Sequence, residues 1–167
     1  VQKLPRSFFE RPTLEVAREL LGKKIFYHGT EAIITETEAY IAPDDPACHA
    51  SRGKTPRTEV MFGKAGVSYV YFIYGMYHCL NFVTEPEGYA AAVLIRGIQI
   101  EGVDYKKTNG PGKLCKFLGL TREHNAIDLI DNHNFCVLDS SFKPEFDVTP
   151  RIGISQGKEH LWRFVVK

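Results

Sequence analysis

The stretch from Val67 to Thr84 is largely apolar and aromatic and is interrupted at Gly75. A glycine weakens a strand interior and marks a bend in it. The run therefore divides into two strands, Val67–Tyr74 and Met76–Thr84, with Val67, Tyr69, Tyr71 and Ile73 sharing one face of the first. A third strand, Tyr89–Arg96, follows Glu87 and Gly88. Upstream, Lys24–His28 and Glu31–Tyr40 read as strands joined by a turn at His28-Gly29-Thr30. Downstream, short strands are expected at Phe135–Leu138, Arg151–Ser155 and Trp162–Val166. Helices are short: one is capped by Thr13, runs through Leu14, Val16, Ala17 and Leu20 and ends at Gly22. The other opens at Pro111 or Gly112 and ends at Gly119. The pattern predicts an α+β class with a curved antiparallel or mixed β-sheet core and short surrounding helices, not a βαβ repeat. A single domain over residues 1–167 is expected, since roughly two-thirds of the chain's surface is buried at this size.

Between the strands, Ile41–Gly66 carries Pro43, Pro46 and Pro56 and reads as a long ordered loop, a feature that compact domains reserve for function when it is not disordered. Ser140–Pro150 reads as a surface loop. The 4 cysteines are dispersed, with no CxxC pair; they read as reduced, buried thiols in a cytoplasmic (nucleoid-associated) or nuclear protein that is not secreted. No HExxH or paired-histidine spacing is present, and neither metal nor cofactor is expected. No apolar run reaches the length of a membrane span, so no membrane partner is expected. Charge is uneven: residues 48–122 carry 10 basic and 5 acidic groups, and residues 123–150 carry 1 and 6. Such clustering suits a protein with one positive face for a polyanion, and also suits chance grouping on a solvated surface.

Three sets of residues can carry chemistry. Glu36 and Glu38 are acid/base candidates. A two-residue period puts Ile34, Glu36, Glu38 and Tyr40 on one face of their strand, and Ile33, Thr35, Thr37 and Ala39 on the other. Buried, such carboxyls are tuned upward toward general-base work; exposed, they simply face water, and the pattern allows both. Tyr40, Tyr69, Tyr71, Tyr74 and Tyr77 come from two short stretches and could wall a pocket for a planar ring, although each could equally serve the core. Basic groups are interleaved with these: Arg52, Lys54, Arg57 and Lys64, then Lys113 beside Gly110 and Gly112. The Gly-Pro-Gly-Lys helix start can offer N–H groups to a phosphate, without being a P-loop.

The segment Ile34-Thr35-Glu36-Thr37-Glu38-Ala39-Tyr40, followed by Asp44 to His49, resembles the alkylpurine-DNA glycosylase family, the methylpurine or 3-methyladenine glycosylases. Thr55-Pro56-Arg57, Tyr69 to Tyr77, Cys79-Leu80-Asn81, Val93 to Arg96, Gly110 to Cys115, Arg151 to Ile154 and Trp162-Arg163-Phe164 are similar to family blocks in the same order. The resemblance implies a monofunctional enzyme that acts as a monomer on double-stranded DNA containing damaged purines. Such an enzyme flips the purine out and cleaves its N-glycosidic bond with water. By this likeness Glu38 is the general base and Arg96 helps position it and the water. Tyr40 and His49 line one side of the flipped base, Tyr71 lines the other, Asn81 forms the pocket floor, and Tyr74 is the wedge that fills the vacated space. Arg52, Lys54, Arg57, Lys64, Gly112 and Lys113 are the candidates for contact with the DNA backbone. The chain departs from the family pattern at Thr58, at Gly97-Ile98-Gln99 and in the short segment from Ile100 to Asn109. Two other functions use the same residues: a catalytically silent lesion-binding protein, and an N-ribosyl hydrolase of free nucleosides or nucleotides.

Overall fold

Strand-forming residues, rich in β-branched and aromatic types, build a continuous eight-stranded antiparallel sheet. The computed structural model of the chain describes residues 2–42 and 45–167, the side chain of Arg52 excepted. The strands are β1 (Lys24–Tyr27), β2 (Thr30–Ile41), β3 (Ser68–Ile73), β4 (Tyr77–Val83), β5 (Ala91–Gln99), β6 (Phe135–Leu138), β7 (Phe146–Thr149) and β8 (Arg163–Val166). The helices are α1 (Arg6–Phe9), α2 (Thr13–Glu19) and α3 (Pro111–Leu118). The sheet runs β3-β4-β5-β2-β1-β6, with β8 paired to β2 and β7 paired to β8. The predicted class and curved antiparallel core are what the chain adopts.

β2 organises the sheet because it has three partners. Its first residues pair with β1, its length from Ile33 to Ile41 pairs with β5, and Glu36–Glu38 pair with β8. The β2–β5 register breaks between Ile34 and Thr37. Ala32 and Ile34 lie in the main core before the break and Ala39 lies there after it, while the buried Thr37 donates its hydroxyl to the Ala17 carbonyl of α2 at 2.9 Å. β5 changes parity at the same place, with Val93 and Ile95 in the core on one side and Ile98 on the other. The expected face is therefore corrected: Ile34 does not accompany Glu36, Glu38 and Tyr40. A bulge moves the apolar residue into the core and leaves the polar set on the opposite side, which strict two-residue alternation cannot express.

Gly97, one of the departures from the family pattern, sits in this break opposite Glu36. A Cβ there would stand 2.7 Å from both Thr35 Oγ1 and Tyr105 Oη and 3.3 Å from Glu36 Cβ. Thr35 and Tyr105 share a hydrogen bond of 2.8 Å over that space. The short segment before α3 thus supplies the tyrosine that closes the bulge.

Two further expectations change. Thr13 is the first residue of α2 instead of its cap; its N–H and hydroxyl both donate to Glu85 Oε2, at 2.8 and 2.7 Å, so the cap comes from 72 residues downstream. Arg151–Ser155 is not a strand. Gly153 takes a left-handed φ of +74°, and the strand of this region is β7, inside the predicted loop. Asp147 and Val148 of β7 are exposed and pair with β8 alone, so its sequence shows no buried alternation. Met61 and Phe62 do order the long loop, and among its described residues are helical turns at His49–Arg52 and Glu59–Phe62. Thr58 is buried there, exchanging hydrogen bonds with Thr55.

The β2–β5 break generates a stability prediction. Gly97→Ala forces Thr35 and Tyr105 apart and should cost about 1–3 kcal/mol, the usual range for overpacking. Urea unfolding followed by circular dichroism measures it, and Tyr105→Phe in the same chain should recover part of the loss by removing one of the two clashing oxygens.

Candidate active site

The face of the sheet opposite the main core opens into a cleft of about 1080 Å³. Tyr40 of β2, Tyr69 and Tyr71 of β3, Cys79 and Asn81 of β4, and Leu94 and Arg96 of β5 line it, along with His49, Gly112, Lys113 and Ile152–Gln156. Residues far apart in the chain meet there because antiparallel neighbours present alternate side chains to one face. The structure thus brings together Tyr40, His49, Tyr71, Tyr74, Asn81, Arg96, Gly112 and Lys113 in one cleft. Lys54 and Lys64 are exposed outside its lining. Arg57 is also exposed and holds its guanidinium 5.4 Å from the centre of the Tyr71 ring, with a long 3.5 Å contact to the Phe72 carbonyl. The expected backbone contact through Arg52 lies outside the described side chains, as does Asp44 outside the described residues.

Glu38 has no solvent exposure and does not itself line the cleft; it is buried behind Tyr40, Arg96 and Ile152, which do. Tyr40 donates its hydroxyl to Glu38 Oε1 at 2.7 Å, and the backbone N–H of Ile152 donates to Oε2, also at 2.7 Å. Arg96 Nε stands 3.7 Å from Oε2, beyond a hydrogen bond, while donating to Glu36 Oε2 at 3.1 Å. Glu36 also accepts from Arg163 Nε at 2.7 Å, so two arginines converge on one carboxylate and, among the described residues, leave the other with a single more distant cation. Burial pushes the Glu38 carboxyl above its ordinary range; Arg96, the Ile152 N–H and the Tyr40 hydroxyl oppose the rise, and the Glu36 charge adds to it. A desolvated carboxylate so tuned is suited to accepting a proton, and among the described residues no lysine pairs with it. The reading in which both glutamates simply face water is not what the chain adopts: Glu38 is fully buried, and the Glu36 side chain is 13% exposed and held by two arginines.

The aromatic walls are neutral. Burial first, then the neighbouring Glu38 carboxylate, raise the Tyr40 hydroxyl. Burial does the same for Tyr71, and for Tyr69 it lifts the value to about 12. Partial desolvation and the nearby Arg57 lower the His49 imidazole and so favour its uncharged form. The His49 ring meets Tyr71 edge to face, with centroids 4.4 Å apart, so in this state the two rings touch. Asn81 is buried and donates its amide to the Tyr69 carbonyl at 3.2 Å.

At the mouth of the cleft the β3–β4 hairpin projects Tyr74, 71% exposed, and Met76, 74% exposed. Tyr74 and Gly75 are both left-handed, with φ of +55° and +62°, and Met76 N–H donates to the Ile73 carbonyl at 3.1 Å. This is the backbone of a primed hairpin turn, in which glycine is at ease and tyrosine is not. Tyr77 braces the hairpin against α3: a Cβ on Gly112 would stand 2.7 Å from Tyr77 Cγ. Among the described residues no group of three or more His, Cys, Asp or Glu is arranged to hold a metal ion, and no helix is long and apolar enough to cross a membrane.

Sequence reasoning assigned no role to Ile152, Arg163, Asp45 or Arg151, all of which shape the site. Their contacts run across 100 residues or more from Glu38, Glu36 and Asp45, and the only available signal was that Arg151-Ile152-Gly153-Ile154 forms a recognisable block.

The environment of Glu38 sets a stability prediction. In Glu38→Gln the amide carbonyl can accept from Ile152, and the Tyr40 hydroxyl can turn to accept from the amide nitrogen. The folded-state pKa of Glu38 is raised, so its contribution is fully present at acid pH and is lost as pH rises through that pKa. The variant should therefore gain roughly 1 kcal/mol at neutral pH, about 2–4 °C in Tm for a chain of this size, and lose the gain below the ordinary glutamate range. Thermal unfolding across pH reads it, and a Tm for the variant below wild type at neutral pH contradicts it.

Residues 7–167 match the family described as Methylpurine-DNA glycosylase. A protein of Rickettsia felis designated a 3-methyladenine DNA glycosylase is 58% identical over 163 residues, which cover 98% of this chain and 92% of that protein. One from Wolbachia pipientis of Culex pipiens is 60% identical over 161 residues, covering 96% and 88%, and one from Sodalis glossinidius is 58% identical over 161 residues, covering 96% and 95%. A family match over residues 7–167, together with relatives 58–60% identical over nearly the whole chain, means that this protein belongs to the methylpurine-DNA glycosylase family.

Proposed function

We propose that this chain is a monofunctional DNA glycosylase of base excision repair. It hydrolyses the N-glycosidic bond of alkylated or deaminated purines flipped out of duplex DNA. The observation that carries the reading is the buried Glu38 carboxylate behind a tyrosine-walled cleft with an exposed aromatic hairpin at its mouth. An excised base needs a flat, apolar slot, a nucleophile on its sugar side and something to hold the emptied stack, and these three features match those needs.

In this mechanism Glu38 accepts a proton from the attacking water; the carboxylate is fully enclosed in the free protein and both its oxygens accept hydrogen bonds, so the Tyr40 hydroxyl or the Arg96 side chain must shift to admit that water. The water attacks the anomeric carbon. The carboxylate also favours the oxocarbenium-like charge that develops there. Tyr40, His49 and Tyr71 stack around the base, whose alkylated ring is electron-poor and attracted to π faces. For that, His49 must swing off Tyr71, since a base between two rings needs them about 7 Å apart, twice the van der Waals contact of carbon atoms. Asn81 crowds the floor against the exocyclic amine of normal guanine. Tyr74 enters through the minor groove. Lys113 and the N–H groups at Gly112, at the start of α3, are suited to a backbone phosphate, with Arg57, Lys54, Lys64 and Arg52 as further candidates. The chain is proposed to work as a monomer, where genomic DNA is found in the cytoplasm or nucleus. Exposure of Tyr74 and Met76 favours a duplex substrate over a free nucleoside, which would have no use for a projecting wedge.

The test is a duplex with one hypoxanthine or one alkylated purine, assayed for free base and alkali-labile sites. Wild type should release the base. Glu38→Gln should lose about 10²–10⁴-fold in rate, the general-base contribution, with binding retained. Tyr74→Ala should weaken capture of the lesion by about 1–3 kcal/mol, the worth of one aromatic–base stack. Binding should weaken as salt rises, through counterion release. Binding without release from any lesion would make the protein a silent reader, and turnover of free nucleosides would make it a hydrolase of small substrates. Because Glu38 is held above its ordinary pKa, activity should decline with falling pH from a point above the usual glutamate range.

A further inference from the structure

Asp45 and Arg151 form a two-pronged ion pair with neither side chain exposed to solvent. Arg151 Nη2 donates to Asp45 Oδ1 at 2.9 Å and to the Gly157 carbonyl at 3.2 Å. Nη1 donates to Asp45 Oδ2 and, at 3.0 Å, to the Ala39 carbonyl. Burying two ions is costly, and such a pair is often no more stabilising than apolar residues of the same shape. Its value therefore lies in what it holds in place. The guanidinium lies 4.8 Å from the centre of the Tyr40 ring and 5.0 Å from that of Trp162. Tyr40 lines the cleft and Arg151 does not, so the arginine backs the hidden face of the ring.

The next residue in the chain is Ile152, whose N–H caps Glu38 Oε2. A shift of Arg151 would withdraw that N–H. On the other partner, Asp45 accepts from Ala47 N–H at 3.0 Å through its side chain and from Cys48 N–H at 3.0 Å through its carbonyl, fixing the turn that delivers His49. One enclosed pair thus reaches the base, the stacking ring and the histidine together. Gly157 makes room for it: its φ is +74°, and a methyl there would stand 2.7 Å from Arg151 Nη2 and 3.2 Å from Asp45 Oδ1.

We propose that the Arg151–Asp45 pair is the positioning device of this active site, holding the Ile152 N–H on Glu38 and the Tyr40 ring against the cleft so that it sets the rate of base release more than DNA affinity. The proposal rests on the glycosylase reading for its kinetic part. The groups that face Glu38 are Tyr40 and Glu36 from β2, the Cys79 thiol from β4, Arg96 from β5 and the Ile152 N–H, with Arg163 of β8 acting on Glu36. Of these, Arg151 controls the backbone donor.

The experiment compares wild type with Arg151→Lys, which keeps the charge and loses the fork, and with Gly157→Ala, which keeps both ions and displaces the guanidinium. Three readings are taken: single-turnover release of hypoxanthine from a duplex, equilibrium binding of a duplex carrying an uncleavable abasic-site analogue, and titration of the Glu38 carboxyl by carbon-13 NMR in the free protein. Both variants should release base about 100-fold more slowly, as a misplacement near 1 Å does, with binding little changed and the Glu38 midpoint moved upward. If Arg151→Lys does not fold, Gly157→Ala carries the test. Release that is unaffected, or that falls only with binding while the Glu38 midpoint stays put, overturns the proposal. If wild type releases no base from a duplex carrying hypoxanthine or from one carrying an alkylated purine, the function assigned above falls, and the Glu38 midpoint alone then decides the positioning role.

Discussion

The register slip between Ile34 and Thr37 reverses the parity of β2, and the same slip reverses β5 beside it. Before the slip the even-numbered residues of β2 feed the core; after it the odd-numbered ones do, and Glu36, Glu38 and Tyr40 are released to the other side of the sheet. Arg96 of β5 falls on that side too, which is why it can stand between the two glutamates. Without the slip, Glu38 would lie on the face of Ile34, among the apolar residues under α2. Bulges commonly redirect side chains beside active sites, and here the redirection costs no core packing, because Thr37 takes the inward place and satisfies its hydroxyl on α2.

The two carboxylates that result are neighbours with different company. Glu36 receives Arg96 and Arg163 directly; Glu38 receives a tyrosine hydroxyl and a backbone N–H and keeps its nearest arginine at arm's length. Environments that treat adjacent carboxyls unequally are how a fold assigns them different work. The cation-rich partner anchors β8 and β5 to β2, and the desolvated one is left with no directly hydrogen-bonded cation among the described residues.

Much of this was legible in the sequence, in proportion to how local each signal is. The interruption at Gly75 marked the hairpin because a turn of left-handed residues needs glycine, and Gly119 ended α3 for the same reason, with φ of +79°. The tyrosines and Glu38 could be named from their pattern and their likeness to a known family. The bulge could not, since strict alternation admits no extra residue, and Ile34 was assigned to the wrong face as a consequence. β7 was hidden because an edge strand with Asp147 and Val148 exposed has no apolar face to display. The strand expected at Arg151–Ser155 failed for a different reason: Arg151 spends its hydrogen bonds on Asp45, Ala39 and Gly157, which turns the backbone instead of extending it. Partners more than 100 residues apart leave no trace in local spacing.

Tyr74 holds a left-handed backbone that its side chain disfavours, kept there by the hairpin on one side and by Tyr77 wedged on Gly112 on the other. A probe built this way has already surrendered its backbone freedom during folding. In the wedge role proposed for Tyr74, each step along a duplex would be met by a tip of fixed aim, with little further ordering at the moment of contact. Intact, well-stacked pairs would resist such a tip, and weakened ones would yield. Discrimination would thus begin mechanically, in the stiffness of a turn, before any pocket has seen the nucleotide.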